Sequence, residues 1–281
     1  KMMAVTVTEK DALTTSVSKL LPNAAKIGEV EYATLKEALE SLKNSNEKTV
    51  TIQLLADQNV AGFTVDLSGS KIESLTIQGN GKKLDSLVEN GDQNGERGGP
   101  RLPVIDVNMK DGANLVVDNA VFPNSLIFDD TTSKASVTVQ NCTFRKAQAG
   151  YPKAKEITYD HNTFDFNGDL EKKTGTGGDL YYTHNAYPLW FKAQESQKIV
   201  LTNNTVTRYP RGFHIETQKE ALGQGIVVNN NTFNLIQCCK EHNNKRVALQ
   251  LVGAKLNGNV EFQNNNVDAY MGVCFFKNGS G

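Results

Sequence analysis

The sequence predicts an all-β solenoid, short strands stacked coil upon coil behind one short N-terminal helix. Three observations carry that expectation. The 281 residues include 29 Asn and 23 Gly but only 7 Pro, an excess of residues that tolerate left-handed backbone in tight bends. One eight-residue pattern recurs six times, and in each copy apolar positions one and three alternate with positions two and four that are mostly polar, at the period of a strand.

The copies read LVVDNAVF (Leu115–Phe122), VTVQNCTF (Val137–Phe144), ITYDHNTF (Ile157–Phe164), IVLTNNTV (Ile199–Val206), IVVNNNTF (Ile226–Phe233) and VEFQNNNV (Val260–Val267). Positions one, three and eight are always apolar, while positions five and six are mostly Asn. Each copy is therefore a strand, a sharp bend and a second strand. Asn suits the bend because it accepts left-handed backbone, and stacked bends can bond amide to amide, which predicts an Asn ladder. The copies end at intervals of 22, 20, 42, 27 and 34 residues, which reads as one coil each, with 42 being two coils or one long insertion.

The remaining elements follow in order. Thr34-Leu-Lys-Glu37 is a capping box, and Leu35, Ala38, Leu39 and Leu42 share one face, so residues 34–43 form an amphipathic helix that plugs the first coil. Val50–Leu55 and Leu75–Gln78 open the strand pattern, and Glu89–Arg101, rich in Gly, Asn and charge, is a surface loop. Leu189–Ala193, Phe213–Glu216 and Val247–Val252 each precede a copy of the repeat, which gives about three strands per coil. The organisation expected is an N-terminal extension with capping helix over 1–49 and the solenoid over 50–281. A last strand running into Gly/Ser at Gly281 predicts one module of a longer protein.

The repeat resembles that of the right-handed parallel β-helix in the pectin-lyase-like superfamily, over residues 50–281. That resemblance implies an all-β fold, a right-handed parallel β-helix solenoid with a short N-terminal capping helix. It implies little about activity, because the superfamily includes polysaccharide lyases, glycoside hydrolases, epimerases, phage tailspikes and noncatalytic adhesins. The phrase Gly28-Glu-Val-Glu-Tyr-Ala-Thr-Leu-Lys-Glu-Ala38 is similar to the N-terminal cap of secreted surface proteins of gut Gram-positive bacteria, which implies an extracellular, secreted or cell-wall-associated protein.

Composition narrows the function classes. With 30 basic against 31 acidic side chains and no long Lys/Arg run, the chain has no electrostatic surface for nucleic acid. No apolar run reaches the length of a membrane-spanning helix, and Lys1–Thr8 is too short for a signal-peptide core. Nothing in the residue pattern calls for a cofactor. Cys142, Cys238, Cys239 and Cys274 lack zinc spacing and read as buried thiols, with a disulfide from Cys142 to Cys238 or Cys274 left open. Asp165, Asn167 and Asp169 lack the other ligands of a calcium loop, and Asp129-Asp130 reads as a solvated turn. The sequons at Asn141, Asn203 and Asn230 fall in the repeated bend, which explains them without a sugar; a fourth stands at Asn278.

The candidate site is the outer face of the second strand family. Taking Leu189/Phe191, Phe213/Ile215, Val247/Leu249 and Val273/Phe275 as interior, one outward column holds Trp190, His214, Ala248 and Cys274, beside Lys192, Glu216, Gln250 and Phe276. Two structureless excursions, 165–188 and 234–246, wall this face. The first carries Tyr181, Tyr182, His184 and Tyr187, and the connection after Val206 carries Arg208, Tyr209 and Arg211. Flat rings stack on pyranose faces and Arg pairs with carboxylates, so a polysaccharide or other glycan, or a host surface protein, is the expected partner.

For catalysis, Lys192, His214 and Glu216 supply a cation and a base for abstracting a proton beside a uronate carboxylate. Arg208-Tyr-Pro-Arg211-Gly-Phe-His214 resembles the Arg-x-Pro stretch of pectate lyases, which would make Arg211 a base, but the clustered calcium-binding Asp of that family have no counterpart. The Asp pair and Gly-His-Gly signatures of polygalacturonases are absent too. The reading that results is a noncatalytic binding or adhesion module, with a lyase or hydrolase of acidic polysaccharide as the alternative and a passive spacer as the third.

Overall fold

The computed structural model describes residues 22–60, 63–86, 104–123, 135–145, 148–150, 154–166, 173–174, 180–181, 187–193, 197–217, 225–237, 246–253 and 258–276. They form an all-β structure of stacked parallel sheets. The ten-stranded first sheet runs in chain order from Thr49–Leu54 through Ser74–Gln78, Asn114–Asp118, Ser136–Gln140, Glu156–Asp160, Lys198–Thr202 and Ile226–Asn229 to Val260–Gln263, every neighbour parallel. A hairpin, Ala25–Ile27 with Val30–Tyr32, completes its edge in antiparallel register. The six-stranded second sheet runs from Val121–Phe122 to Asn266–Asp268, and the five-stranded third from Gln148–Gly150 to Met271–Phe276. From Ser136 onward the chain visits first, second and third sheet in turn before returning to the first. Parallel strands need long crossovers, and here the other two sheets are the crossover.

The alternation read from sequence sets which side chains go inside. First-sheet strands such as Ser136–Gln140 and Glu156–Asp160 bury their second and fourth residues. Position eight of the repeat builds an aromatic spine: Phe122 stacks on Phe144 with ring centroids 5.0 Å apart, and Phe144 on Phe164 at 4.8 Å. All three rings are fully buried, each stabilising the fold by about 2–3 kcal/mol.

The bend between first and second sheets explains the asparagines. Position five is left-handed in every copy: Asn119, Asn141, His161, Asn203, Asn230 and Asn264 all have φ between 52° and 59°. Position six turns inward and forms the ladder. Asn162, Asn204 and Asn231 each accept at Oδ1 from the backbone N–H of position six one pass earlier, at 2.9 Å in all three cases. Asn265 Oδ1 closes the series on Asn231 N–H at 2.8 Å. Each amide also donates from Nδ2 to a first-sheet carbonyl, as Asn162 does to Val139 O and Asn204 to Tyr159 O, both 2.9 Å. Cys142 occupies the same position, where its Sγ accepts from Ala120 N–H at 3.5 Å.

At the N-terminal end a helix spans Leu35–Ser41 and continues as a 3-10 turn over Leu42–Asn44. Thr34 Oγ1 accepts from Glu37 N–H at 3.1 Å, and Glu37 Oε2 accepts from Ala33 N–H at 3.2 Å, a capping box displaced by one residue on its return bond. Leu35, Ala38 and Leu39 join the core. Buried Gln58 fastens the helix start, accepting from Leu35 N–H at 2.8 Å and donating to Ala24 O at 3.2 Å. The hairpin beside it carries no repeat pattern and was not foreseeable from one.

Candidate functional site

The candidate face is the outside of the third sheet. Leu189, Phe191, Phe213, Ile215, Leu249 and Leu251 point into the core, which sends the residues between them outward. The backbone register then fixes the columns. Trp190 lies opposite His214, His214 opposite Gln250 and Gln250 opposite Cys274. Lys192, Glu216, Val252 and Phe276 form the next column.

This corrects the expected alignment, in which Ala248 followed His214. Ala248 lies one dyad earlier, beside Gly212, where a Cβ on Gly212 would overlap the Ala248 carbonyl. Glycine at 212 lets the two backbones close up, and Gly212 N–H donates to Val247 O at 2.9 Å. Gln250 therefore takes the place given to Ala248. Phe275, expected inside, is 64 % exposed on the last described strand.

Around the column the rings form one cluster. The Tyr187 and His214 centroids are 4.7 Å apart, Trp190 meets His214 edge to face at 5.7 Å, and Tyr187 lies 6.3 Å from Trp190. The Arg211 guanidinium sits over the Tyr187 ring at 5.3 Å and its Nη1 donates to Gln250 Oε1 at 3.5 Å. Arg211, His214 and Gln250 are each 8 % exposed, so they support the face from beneath, whereas Trp190 and Tyr187 are half-buried. A half-buried indole beside a phenol is the part of this cluster that a ligand can reach.

Other expected site residues separate from it. Tyr209 is fully buried and packs on Phe166 with centroids 5.1 Å apart, so it belongs to the core and offers no ring to a ligand. Arg208 turns away to Asp165, donating from Nε to Oδ1 at 2.7 Å. Lys192 faces Glu216 in backbone register, but its side chain lies outside the described residues, as does that of Tyr181. Tyr182 and His184 lie wholly outside them, with Asn167, Asp169, Asp129-Asp130, Asn278 and Cys238-Cys239. The excursion taken as structureless contains a small antiparallel pair, Lys173–Thr174 with Leu180–Tyr181.

Asp165 accepts from Arg145 as well as Arg208, so its carboxylate is paired with two guanidiniums. Among the described residues no group of three His, Cys, Asp or Glu comes together as a metal site. Cys142 and Cys274 are free thiols. Burial pushes the Cys142 thiol up to about 12, so it is held protonated. No described helix is long and apolar enough to cross a membrane. Comparison with protein-family models, with curated proteins and with solved structures finds no match to the chain in any of the three.

Proposed function

We propose that the stacked sheets wind as a right-handed parallel β-helix solenoid, closed at its first coil by the Leu35–Ser41 helix, and that the outer face of the third sheet binds glycans without transforming them. In this reading the protein is an extracellular module, secreted or wall-associated. The sense of winding follows from the right-handed preference of parallel crossovers. The observation that carries the binding role is the Tyr187–Trp190–His214 cluster, in which half-buried Trp190 packs on Tyr187 and His214, and Tyr187 lies under the Arg211 guanidinium that bonds Gln250. Rings fixed in this way lose little entropy when a pyranose stacks on them, and the backing groups stiffen the platform.

A glycan array probed with the intact chain and with Trp190→Ala tests this. Retention of a glycan by the intact chain and its loss on Trp190→Ala is the expected result. A hit unaffected by Trp190→Ala and by Tyr187→Ala removes the site, a protein-only hit replaces the glycan with a protein partner, and appearance of new reducing or unsaturated ends restores an enzymatic role.

A further inference from the structure

A second outward feature lies at the end of the second-sheet strands, on the other side of the corner. Asp165 closes the strand Thr163–Asp165; Arg145 follows Thr143–Phe144 one pass earlier, and Arg208 follows Thr205–Thr207 one pass later. Both arginines converge on the one carboxylate. Arg145 Nη1 donates to Asp165 Oδ2 at 2.7 Å, Arg208 Nε donates to Oδ1 at 2.7 Å, and Thr207 Oγ1 donates to Oδ1 at 3.0 Å. The Arg208 hydrogen bond, helped by the Thr207 bond and the charges of both arginines and opposed by burial, holds the Asp165 carboxyl below its ordinary range, so the anchor stays ionised.

Three features set this trio apart from an ordinary surface ion pair. A guanidinium has five N–H donors, and among the described residues each arginine gives only one of them to a protein acceptor. The unused donors face water: the arginine side chains are 39 % and 52 % exposed, over a carboxylate only 22 % exposed. The backbone also carries a cost. Arg208 is left-handed at φ 62°, while every other non-glycine in that region is an Asn or the one His at the repeated bend. An unbranched charged residue there costs about 1–2 kcal/mol that glycine would not. Strain of this kind, borne away from the repeat, points to a use for the side chain.

We infer that Arg145 and Arg208 form a fork that binds an oxyanion, a sulfate or carboxylate group, with Asp165 as the positioning residue that fixes the angle between the two guanidiniums. Two cations and one anion leave a local charge of +1, and the exposed N–H edges match the bidentate geometry of such groups. The chain as a whole has a formal charge of -1, so it offers no general attraction for polyanions. The fork shares no residue with the third-sheet platform and does not depend on it.

The test uses the intact chain on immobilised heparin (sulfate) and polygalacturonate (carboxylate), with inorganic sulfate followed by the arginine Nε–H resonances at constant ionic strength. Retention on at least one polymer, and a saturable shift of the Arg208 resonance on the matching group, are expected. Response to inorganic sulfate alone assigns a free ion, and retention on a polymer assigns its bound form. The R145A/R208A chain should bind at least tenfold more weakly, and Asp165→Asn, which raises the local charge but releases the angle between the guanidiniums, should weaken the saturable sulfate response of the Arg208 resonance; an undiminished response removes the positioning role of Asp165. R145K/R208K keeps the charge without the fork and should lose several-fold if the alanine chain fails to fold. No retention and no shift with the intact chain overturns the inference, as does R145A/R208A eluting with the intact chain, including when its melting temperature falls.

Discussion

Replacing Asn204 by Ala removes the middle rung of the amide ladder. Asn204 is 1 % exposed, and its side chain takes part in four bonds. Oδ1 accepts from Asn162 N–H at 2.9 Å and from Asn162 Nδ2 at 3.0 Å, while Nδ2 donates to Tyr159 O at 2.9 Å and to Asn231 Oδ1 at 3.0 Å. The neighbours do not lose equally. Asn162 Nδ2 keeps Val139 O, and Asn231 Oδ1 keeps the Asn204 N–H. The Asn162 N–H loses its acceptor, and a buried donor left without one costs about 1–3 kcal/mol. Adding the Tyr159 carbonyl's lost donor and the small void gives about 3–5 kcal/mol, a large part of a typical domain's 5–15 kcal/mol. Asn203→Ala is the internal control, since it loses one partly exposed bond to Asp160 at 2.8 Å and a left-handed Asn at φ 56°, worth about 1–2 kcal/mol. Urea unfolding of both variants decides the matter. If Asn204→Ala costs no more than Asn203→Ala, the ladder is not what holds the corner.

Three further outcomes follow from the same geometry. Gly212→Ala should cost more than 2 kcal/mol in urea unfolding and weaken any binding at the third-sheet face, because its Cβ would overlap the Ala248 backbone and displace Gln250 from beneath Arg211; a neutral variant refutes the close approach. Asp165 is depressed chiefly by the Arg208 hydrogen bond, and Asp160 is depressed by hydrogen bonds from Thr202, His161 and Asn203 that outweigh its burial. Their contribution is complete above the unfolded carboxylate value, about 3.9, and is lost as pH falls through the lower folded values, so Asp165→Asn should flatten the loss of stability below about pH 4, measured by urea midpoints at pH 6 and pH 3. Cys142 should resist alkylation in the native chain and react on unfolding, as read by peptide mass mapping, while Cys142→Asn should add about 1 kcal/mol by giving Ala120 N–H an amide acceptor in place of a distant sulfur.

The parts of the fold written legibly in the sequence are those where physics demands a particular residue at every pass. The first-to-second-sheet bend needs left-handed backbone and a buried amide, so Asn recurs there, and the apolar positions beside it give the strands their register. Gln53 bonds in line with Gln78, Asp118, Gln140 and Asp160 just as the aligned copies require. The third sheet has no such marker. In Val247–Val252 the sequence tells inside from outside, since a shift of two residues keeps every side chain on its own face, but nothing in it marks whether Ala248 or Gln250 pairs with His214, so the strand is placed two residues out. Gln148–Gly150 is too short and too plain to be seen at all. Tyr209, set among Arg and Pro, reads as a surface ring, and only its contact with Phe166, 43 positions earlier, shows it to be core.

The corrected register changes what the third-sheet face is able to recognise. With Ala248 in the column the surface would have a gap after His214, and Arg211 would lack the Gln250 acceptor. With Gln250 there, Arg211 has an acceptor while its guanidinium sits over Tyr187, and Tyr187 in turn abuts His214. Adjacent strands lie about 4.8 Å apart, so Trp190, His214 and Gln250 span roughly 10 Å along the stack. A ligand lying along the column meets the same two half-buried rings whichever way it runs, while the groups that hold those rings are shielded from it. Affinity should then follow the exposed Trp190 and Tyr187, and loss of Arg211 or Gln250 should act through the tilt of Tyr187, weakening binding without removing a direct contact.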